Sequence, residues 1–232
     1  RAAVAADHPI ASTAGASILA AGGNAVDAAV GVGFALAVTL PKAGNLGGGG
    51  FMLVHLAESG KTLALDYREM APGRAGKDMF LDAKGDVDPH LSRNTFQSAG
   101  VPGTVAGLIH ALNEYGTMSI KEVVAPAIQL AAEGFVISHE LAAELDSRRA
   151  QLSRSEAGQK IFFKPDGSAF KAGERLIQKD LAWSLKMIAD KGAKAFYQGA
   201  IAQKFVADSK RHRGLITADD LNNYRVAERK PV

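Results

Sequence analysis

Apolar positions fall into two kinds of segment along this chain, helical-period windows and short strand-length runs. Ala25 to Leu40 is the most apolar window. It is apolar nearly all round, which predicts a helix from Ala25 to about Thr39 with both faces covered, capped by Asn24 and stopped before Pro41. Gly31 and Gly33 lower its intrinsic propensity and make sense where another backbone packs closely. A shorter helix is expected before it, capped by Ser12 or Thr13, running through Ala21 and ended by Gly22-Gly23. Gly50 to Leu56 and Thr62 to Tyr67 have strand length and composition, with turn chemistry at Glu58-Ser59-Gly60-Lys61 between them. They predict at least one buried antiparallel pair.

Helical patterning dominates the chain beyond the hairpin. Pro102-Gly103-Thr104 opens a helix to Tyr115 with Gly116 as its stop. Ser119 and Glu122 form a capping-box pattern for a helix to about Glu133, in which Pro126 is expected to kink or displace the first turn. Ser138 to Leu152, Lys179 to Ala189, Ala193 to Gln198 and Ala200 to Arg213 read as further helices, and Thr217 with Asp220 caps a last turn. Ala71 to Val101 reads as irregular, with a turn at Asp82-Ala83-Lys84-Gly85. Phe162 to Phe170 resembles a hairpin around Pro165-Asp166-Gly167-Ser168, and Tyr224 to Ala227 is strand-like. The pattern is α+β, helix-rich, and is read as one domain over residues 1–232, with no internal repeat.

Composition narrows the chemistry. There are 27 cationic and 24 anionic residues for a net charge of +3, and aromatics make up 6% of the chain. The cations are dispersed and no stacking platform for nucleic acid is visible. The absence of cysteine excludes disulfides, thiolate metal sites and cysteine nucleophiles. The apolar window holds Asp27 and is shorter than the roughly 20 residues a membrane span needs. His8, His55, His90, His110, His139 and His212 show no metal-ligand spacing, so no metal and no cofactor is expected. The run Gly47-Gly48-Gly49-Gly50 lacks the lysine of a phosphate loop and precedes a strand rather than a helix. It suits close backbone packing beside a reaction centre better than phosphate binding. Lys210-Arg211-His212-Arg213 ends a helix, where cations complement the dipole.

One residue stands out. The second strand of the hairpin ends by delivering Arg68, whose planar fork of donors suits a substrate carboxylate. Asp66 and Glu69 flank it, and a purely structural ion pair is the competing reading.

Five blocks give the chain a family likeness: GGNAVDAAV at Gly22–Val30, GNLGGGGFML at Gly44–Leu53, DYREMAP at Asp66–Pro72, GVPGTVAG at Gly100–Gly107 and GLITADDL at Gly214–Leu221. In this order they resemble the large subunit of bacterial γ-glutamyltranspeptidases. The resemblance implies part of an αββα N-terminal-nucleophile hydrolase, made as a precursor that cleaves itself. It implies a partner, the small subunit, whose new N-terminal threonine forms an acyl-enzyme with the γ-glutamyl group of glutathione and related donors and passes it to water, amino acids or peptides. Arg68 then matches the family's ligand for the donor α-carboxylate. Tyr67 stands where many relatives have phenylalanine. No catalytic residue is carried over onto this chain, which opens on Arg1 and stops at Pro231-Val232. It is expected to be the front part of a large subunit, inert alone, and periplasmic or secreted in its source. A glutaryl-cephalosporin acylase, a poly-γ-glutamate-processing relative and a non-catalytic binding fragment are the alternatives.

Overall fold

The computed structural model describes residues 2–231. Helix α1 (Pro9–Ala20) begins earlier than the serine–threonine pair suggested. His8 caps it, its Nδ1 accepting from the Ile10 N–H at 3.2 Å, and Pro9 occupies the first turn. Proline there loses no hydrogen bond, because the first N–H groups of a helix have no internal acceptor. Ser12 and Thr13 are therefore interior residues, and the Thr13 hydroxyl donates back to the Pro9 carbonyl.

Helix α2 (Ala25–Thr39) runs as expected, and eleven of its 15 residues are buried. Its start is a full capping box: Asn24 Oδ1 accepts from the N–H groups of Val26 and Asp27, and the Asp27 carboxylate accepts from Asn24 N at 2.7 Å. Val30, Phe34 and Val38 are inaccessible to solvent. At Gly31 a side chain would overlap Ile18 of α1, and the Val123 carbonyl lies 3.3 Å from where its Cβ would be, so a neighbouring backbone does pack closely here.

Strands β1 (Phe51–Leu56) and β2 (Lys61–Asp66) pair antiparallel from Phe51 opposite Asp66 to Leu56 opposite Lys61. This pair is buried on one face only. Val54, Leu63 and Leu65 point into the core, while Phe51 and Leu53 on the other face are 62% and 70% exposed. The strict alternation of side chains in a strand puts both residues on the same outer surface.

The stretch after the hairpin is irregular, and Asp82 Oδ1 ties its turn by accepting from Lys84 N and Asp86 N. It also contains a short helix that the apolar pattern does not predict, α3 (Pro89–Asn94), capped by Asp88 with Pro89 in its first turn. α4 (Thr104–Tyr115) and α5 (Ile120–Glu133) form as expected, the second with its Ser119–Glu122 box. Pro126 is the seventh residue of α5 and the helix runs through it. Burial of Val123, Val124, Ala127 and Ala131 against α2 outweighs the one hydrogen bond the ring removes.

A two-residue strand, β3 (Phe135–Val136), comes next. The expected helix from Ser138 to Leu152 is split at Arg148 into α6 (His139–Ser147) and α7 (Arg149–Leu152). In place of the first arm of the Phe162–Phe170 hairpin stands α8 (Glu156–Phe162), started by the Ser155 hydroxyl accepting from Gly158 N at 3.0 Å. Of that hairpin only the Phe163–Ala169 bridge and the turn between them form. β4 (Arg175–Leu176) pairs with β3. Then α9 (Lys179–Lys191), α10 (Ala193–Tyr197) and α11 (Ala200–Arg211) form as predicted, and Thr217 with Asp220 caps α12 (Ala218–Asn222).

The last strand, β5 (Ala227–Arg229), lies three residues beyond the start of the strand-like run and pairs antiparallel with β2, giving the order β1-β2-β5. α4 packs against β2 from the inner side. The result is α+β and helix-rich, with the helices on one face of a three-stranded sheet. No helix among the described residues is long and apolar enough to cross a membrane.

Candidate functional site

Arg68 lies just past the end of β2, at the sheet end where three of the five sequence blocks meet. The glycine run comes first. Gly50 exchanges two backbone hydrogen bonds with Tyr67, at 3.2 and 3.0 Å, which extends the β1–β2 ladder by one pair. Gly49 sits against the Tyr67–Arg68–Glu69 backbone so tightly that a Cβ would lie 2.5 Å from the Tyr67 carbonyl oxygen and 2.7 Å from Glu69 N. Gly48 accepts from Gly103 N at 2.7 Å and Thr104 N at 3.0 Å, which joins this run to the GVPGTVAG block. Asn45 Oδ1 stiffens the joint by accepting from Gly48 N and the Thr104 hydroxyl. The expectation of close backbone packing holds, and the backbone it packs on is that of Arg68.

The second block closes from the other side. At Gly103 a side chain would overlap both the Tyr67 carbonyl and the Tyr224 hydroxyl, and at Gly107 it would overlap the Tyr67 ring. Tyr224 itself donates to the Arg68 carbonyl at 2.8 Å. The Asp66 carboxylate accepts from Arg68 N at 3.1 Å and pairs with Arg229 Nε at 2.6 Å. The Arg68 N–H, and after it Arg229, hold the Asp66 carboxyl below its ordinary value of 3.8. The GLITADDL block reaches the same segment, Asp220 Oδ1 accepting from Gly73 N at 2.7 Å.

The side chain of Arg68 is 63% exposed. Glu69 Oε2 lies 3.2 Å from its Nε, and its guanidinium carbon lies 5.9 Å from the centre of the Phe51 ring. The structural ion pair anticipated as the competing reading thus exists with Glu69, whereas Asp66 turns to Arg229. The contact falls at Nε and is an ion pair without a hydrogen bond. The two terminal amino nitrogens have no protein partner among the described residues, so the end of the fork faces open solvent. The clefts elsewhere, one of about 530 Å³ lined by Lys42, Leu145, Arg148 and Phe162, another of about 690 Å³ lined by Val206, Lys210 and Asn222, hold no part of this constellation.

Residues 11–232 match the gamma-glutamyltranspeptidase family, which places all five blocks within one family pattern. The chain is a member of that family. It is 47% identical over 222 residues to the glutathione hydrolase proenzyme of Escherichia coli strain K12, covering 96% of this chain and 38% of that protein. It is 38% identical over 232 residues to the acylase ACY 1 proenzyme of Pseudomonas sp. strain V22, covering 97% of this chain and 41% of that protein. Its fold matches the crystal structure of Helicobacter pylori gamma-glutamyltranspeptidase with a TM-score of 0.97 at 47% identity, over 100% of this chain and 66% of that one. At 38% and 41%, this chain spans less than half the length of those two curated relatives.

Within the chain the blocks divide by role. GGNAVDAAV lies away from Arg68 and builds a buried joint between α2 and the α4–α5 connection. Asp27, fully buried, accepts from Thr117 N at 2.9 Å, the Thr117 hydroxyl at 2.7 Å and Met118 N at 3.1 Å, besides Asn24 N. Tyr224 and Phe51 are the site residues that sequence reasoning missed. Tyr224 stands 156 positions from Arg68, and no spacing rule reaches that far. The histidines are dispersed in structural roles: His8 caps α1, His110 pairs with Glu228 at 3.1 Å, and His212 stacks on Phe96. Among the described residues no cluster of three or more His, Asp or Glu could hold a metal ion.

Proposed function

We propose that this chain supplies the donor-binding side of a γ-glutamyl transferase and hydrolase. The observation that carries the reading is the exposed terminal fork of Arg68 on a rigidly held backbone, in a member of this family. Two parallel N–H donors match the two oxygens of an α-carboxylate, so donors presenting that group are selected. The remaining chemistry belongs to a partner, the small subunit, which completes the αββα sandwich and contributes an N-terminal threonine. Its hydroxyl oxygen attacks the γ-carbonyl carbon, and the proton passes to the threonine α-amine or a water beside it. The carbon–nitrogen bond breaks and the amine departs with that proton, leaving a γ-glutamyl ester. Water or an acceptor amine then attacks the ester, and the threonine oxygen leaves and regains a proton. Glutathione and related γ-glutamyl compounds are the donors in this reading, and the location is periplasmic or secreted.

The acylase relative favours a second reading, hydrolysis of a glutaryl amide, whose acyl group lacks the α-carboxylate. Arg68→Ala in the complete enzyme separates the two. Loss of a bidentate charge-assisted pair lowers kcat/KM for a γ-glutamyl anilide by about 2–4 kcal/mol, through KM, and leaves a glutaryl anilide unaffected. Unchanged kinetics with the glutamyl donor would make Arg68 a structural residue and end this proposal.

A further inference from the structure

The backbone of Arg68 sits in a gap in the sheet. On one side Tyr67 pairs with Gly50, and on the other Met70 exchanges hydrogen bonds with Val101 at 3.1 and 2.8 Å. Between them neither polar group of the Arg68 peptide has a strand partner. Side chains fill both places: Asp66 takes the N–H and Tyr224 donates to the carbonyl. We infer that Tyr224 is a positioning residue for donor recognition, setting the peptide plane from which the Arg68 guanidinium is launched. This rests on the reading of Arg68 as the α-carboxylate ligand.

Three observations support the assignment. First, Tyr224 is 6% exposed and its ring lies nearly parallel to that of Tyr197, at 14° and 5.8 Å between centres, so its hydroxyl cannot wander. Second, Tyr197 is anchored in turn: its hydroxyl donates to the Pro102 carbonyl at 2.8 Å and accepts from Ala106 N at 3.2 Å. The residues so gripped are those flanking Gly103, whose N–H holds Gly48. The path from Arg68 through Tyr224, Tyr197, the Pro102–Ala106 segment and the glycine run back to the Tyr67–Glu69 backbone is thus closed. Third, burial pushes the Tyr224 phenol up to about 12, so it keeps its proton at any ordinary working pH. A long side chain amplifies a small rotation of its own peptide, and misplacement of a binding group by about 1 Å is enough to lose much of its contribution.

The test is Tyr224→Phe in the complete enzyme, which removes one O–H and keeps the stacked ring. Loss of one buried hydrogen bond acting through Arg68 raises KM for a γ-glutamyl anilide about 5- to 10-fold, with kcat nearly unchanged. In an Arg68→Ala background the same change has no further effect on KM, because the group it positions is gone. Tyr197→Phe is the control: it weakens the support but leaves the bond to Arg68, so it lowers the thermal midpoint and moves KM less. An equal KM effect from both tyrosines, an additive effect in the Arg68→Ala background, or no KM change with Tyr224→Phe overturns the inference. If Arg68→Ala itself leaves KM unaltered, it is the reading of Arg68 that fails, a different result from Tyr224→Phe failing beside an impaired Arg68→Ala.

Discussion

Asp27 has no access to solvent and accepts hydrogen bonds from four donors, those of Asn24, the Thr117 amide and hydroxyl, and Met118. Burial alone would raise its carboxyl, but the donors outweigh it and hold the group below the ordinary 3.8. A carboxyl depressed on folding adds stability above its unfolded value, and that stability is lost as the pH falls through the folded one. Asp27→Ala strands buried N–H groups and is expected to cost about 2–3 kcal/mol at pH 7, read from the urea midpoint. The gap between wild type and variant should narrow as the pH falls below about 4 and the wild-type carboxylate takes up its proton. Asp27 is read in the sequence only as a charge that spoils a membrane span, since three of its four donors, on Thr117 and Met118, lie 90 and 91 positions away. Arg68 is legible because its signal is local, an arginine at the end of a strand. The Glu69 pair is within reach for the same reason. Sequence reasoning cannot say that pair and free fork coexist, because that depends on which nitrogen the carboxylate takes.

At the scale of elements, strong periodicity locates α2, α4, α5 and α9 to α11, and turn chemistry locates the hairpin. The failures have physical causes. Pro9 opens a helix before the better capping residues, so the capping pattern places α1 too late. Apolar Phe162 and Phe163 read as the start of a strand, but the helix capped by Ser155 runs as far as Phe162. Two-residue strands such as β3 and β4 have no period to detect. The glycine blocks read correctly as packing devices, without sight of what they pack on. Gly103→Ala is the sharpest check, because its Cβ would overlap two oxygens that cannot both retreat: the Tyr67 carbonyl in the ladder and the Tyr224 hydroxyl. Overpacking of this kind costs about 1–3 kcal/mol, so the variant should unfold several degrees below wild type in a thermal melt and bind donor more weakly.

The whole molecule presents a sheet with helices on one side and Phe51 and Leu53 bare on the other. Two large apolar side chains adjacent on a sheet face are the kind of surface that binds apolar dyes. The isolated chain is therefore expected to enhance the fluorescence of such a dye, and Leu53→Ser to reduce the enhancement without altering the far-ultraviolet dichroism. In the complete enzyme, where the proposed sandwich covers that face, the substitution should destabilise instead. Equal dye response in both chains would place the apolar surface elsewhere. The uncovered face is not legible from the hairpin, whose apolar content on both sides looks simply buried.

The closure of Arg68 by Tyr224 and of Asp66 by Arg229 spans 156 and 163 positions. A ribosome releases the hairpin early, and Arg68 emerges with its carbonyl unclaimed and β2 lacking its outer neighbour. Both defects persist until the final strand of this segment has been translated. Any truncated product ending short of Tyr224 carries Arg68 without the hydroxyl that holds its carbonyl, so this joint closes only late in synthesis.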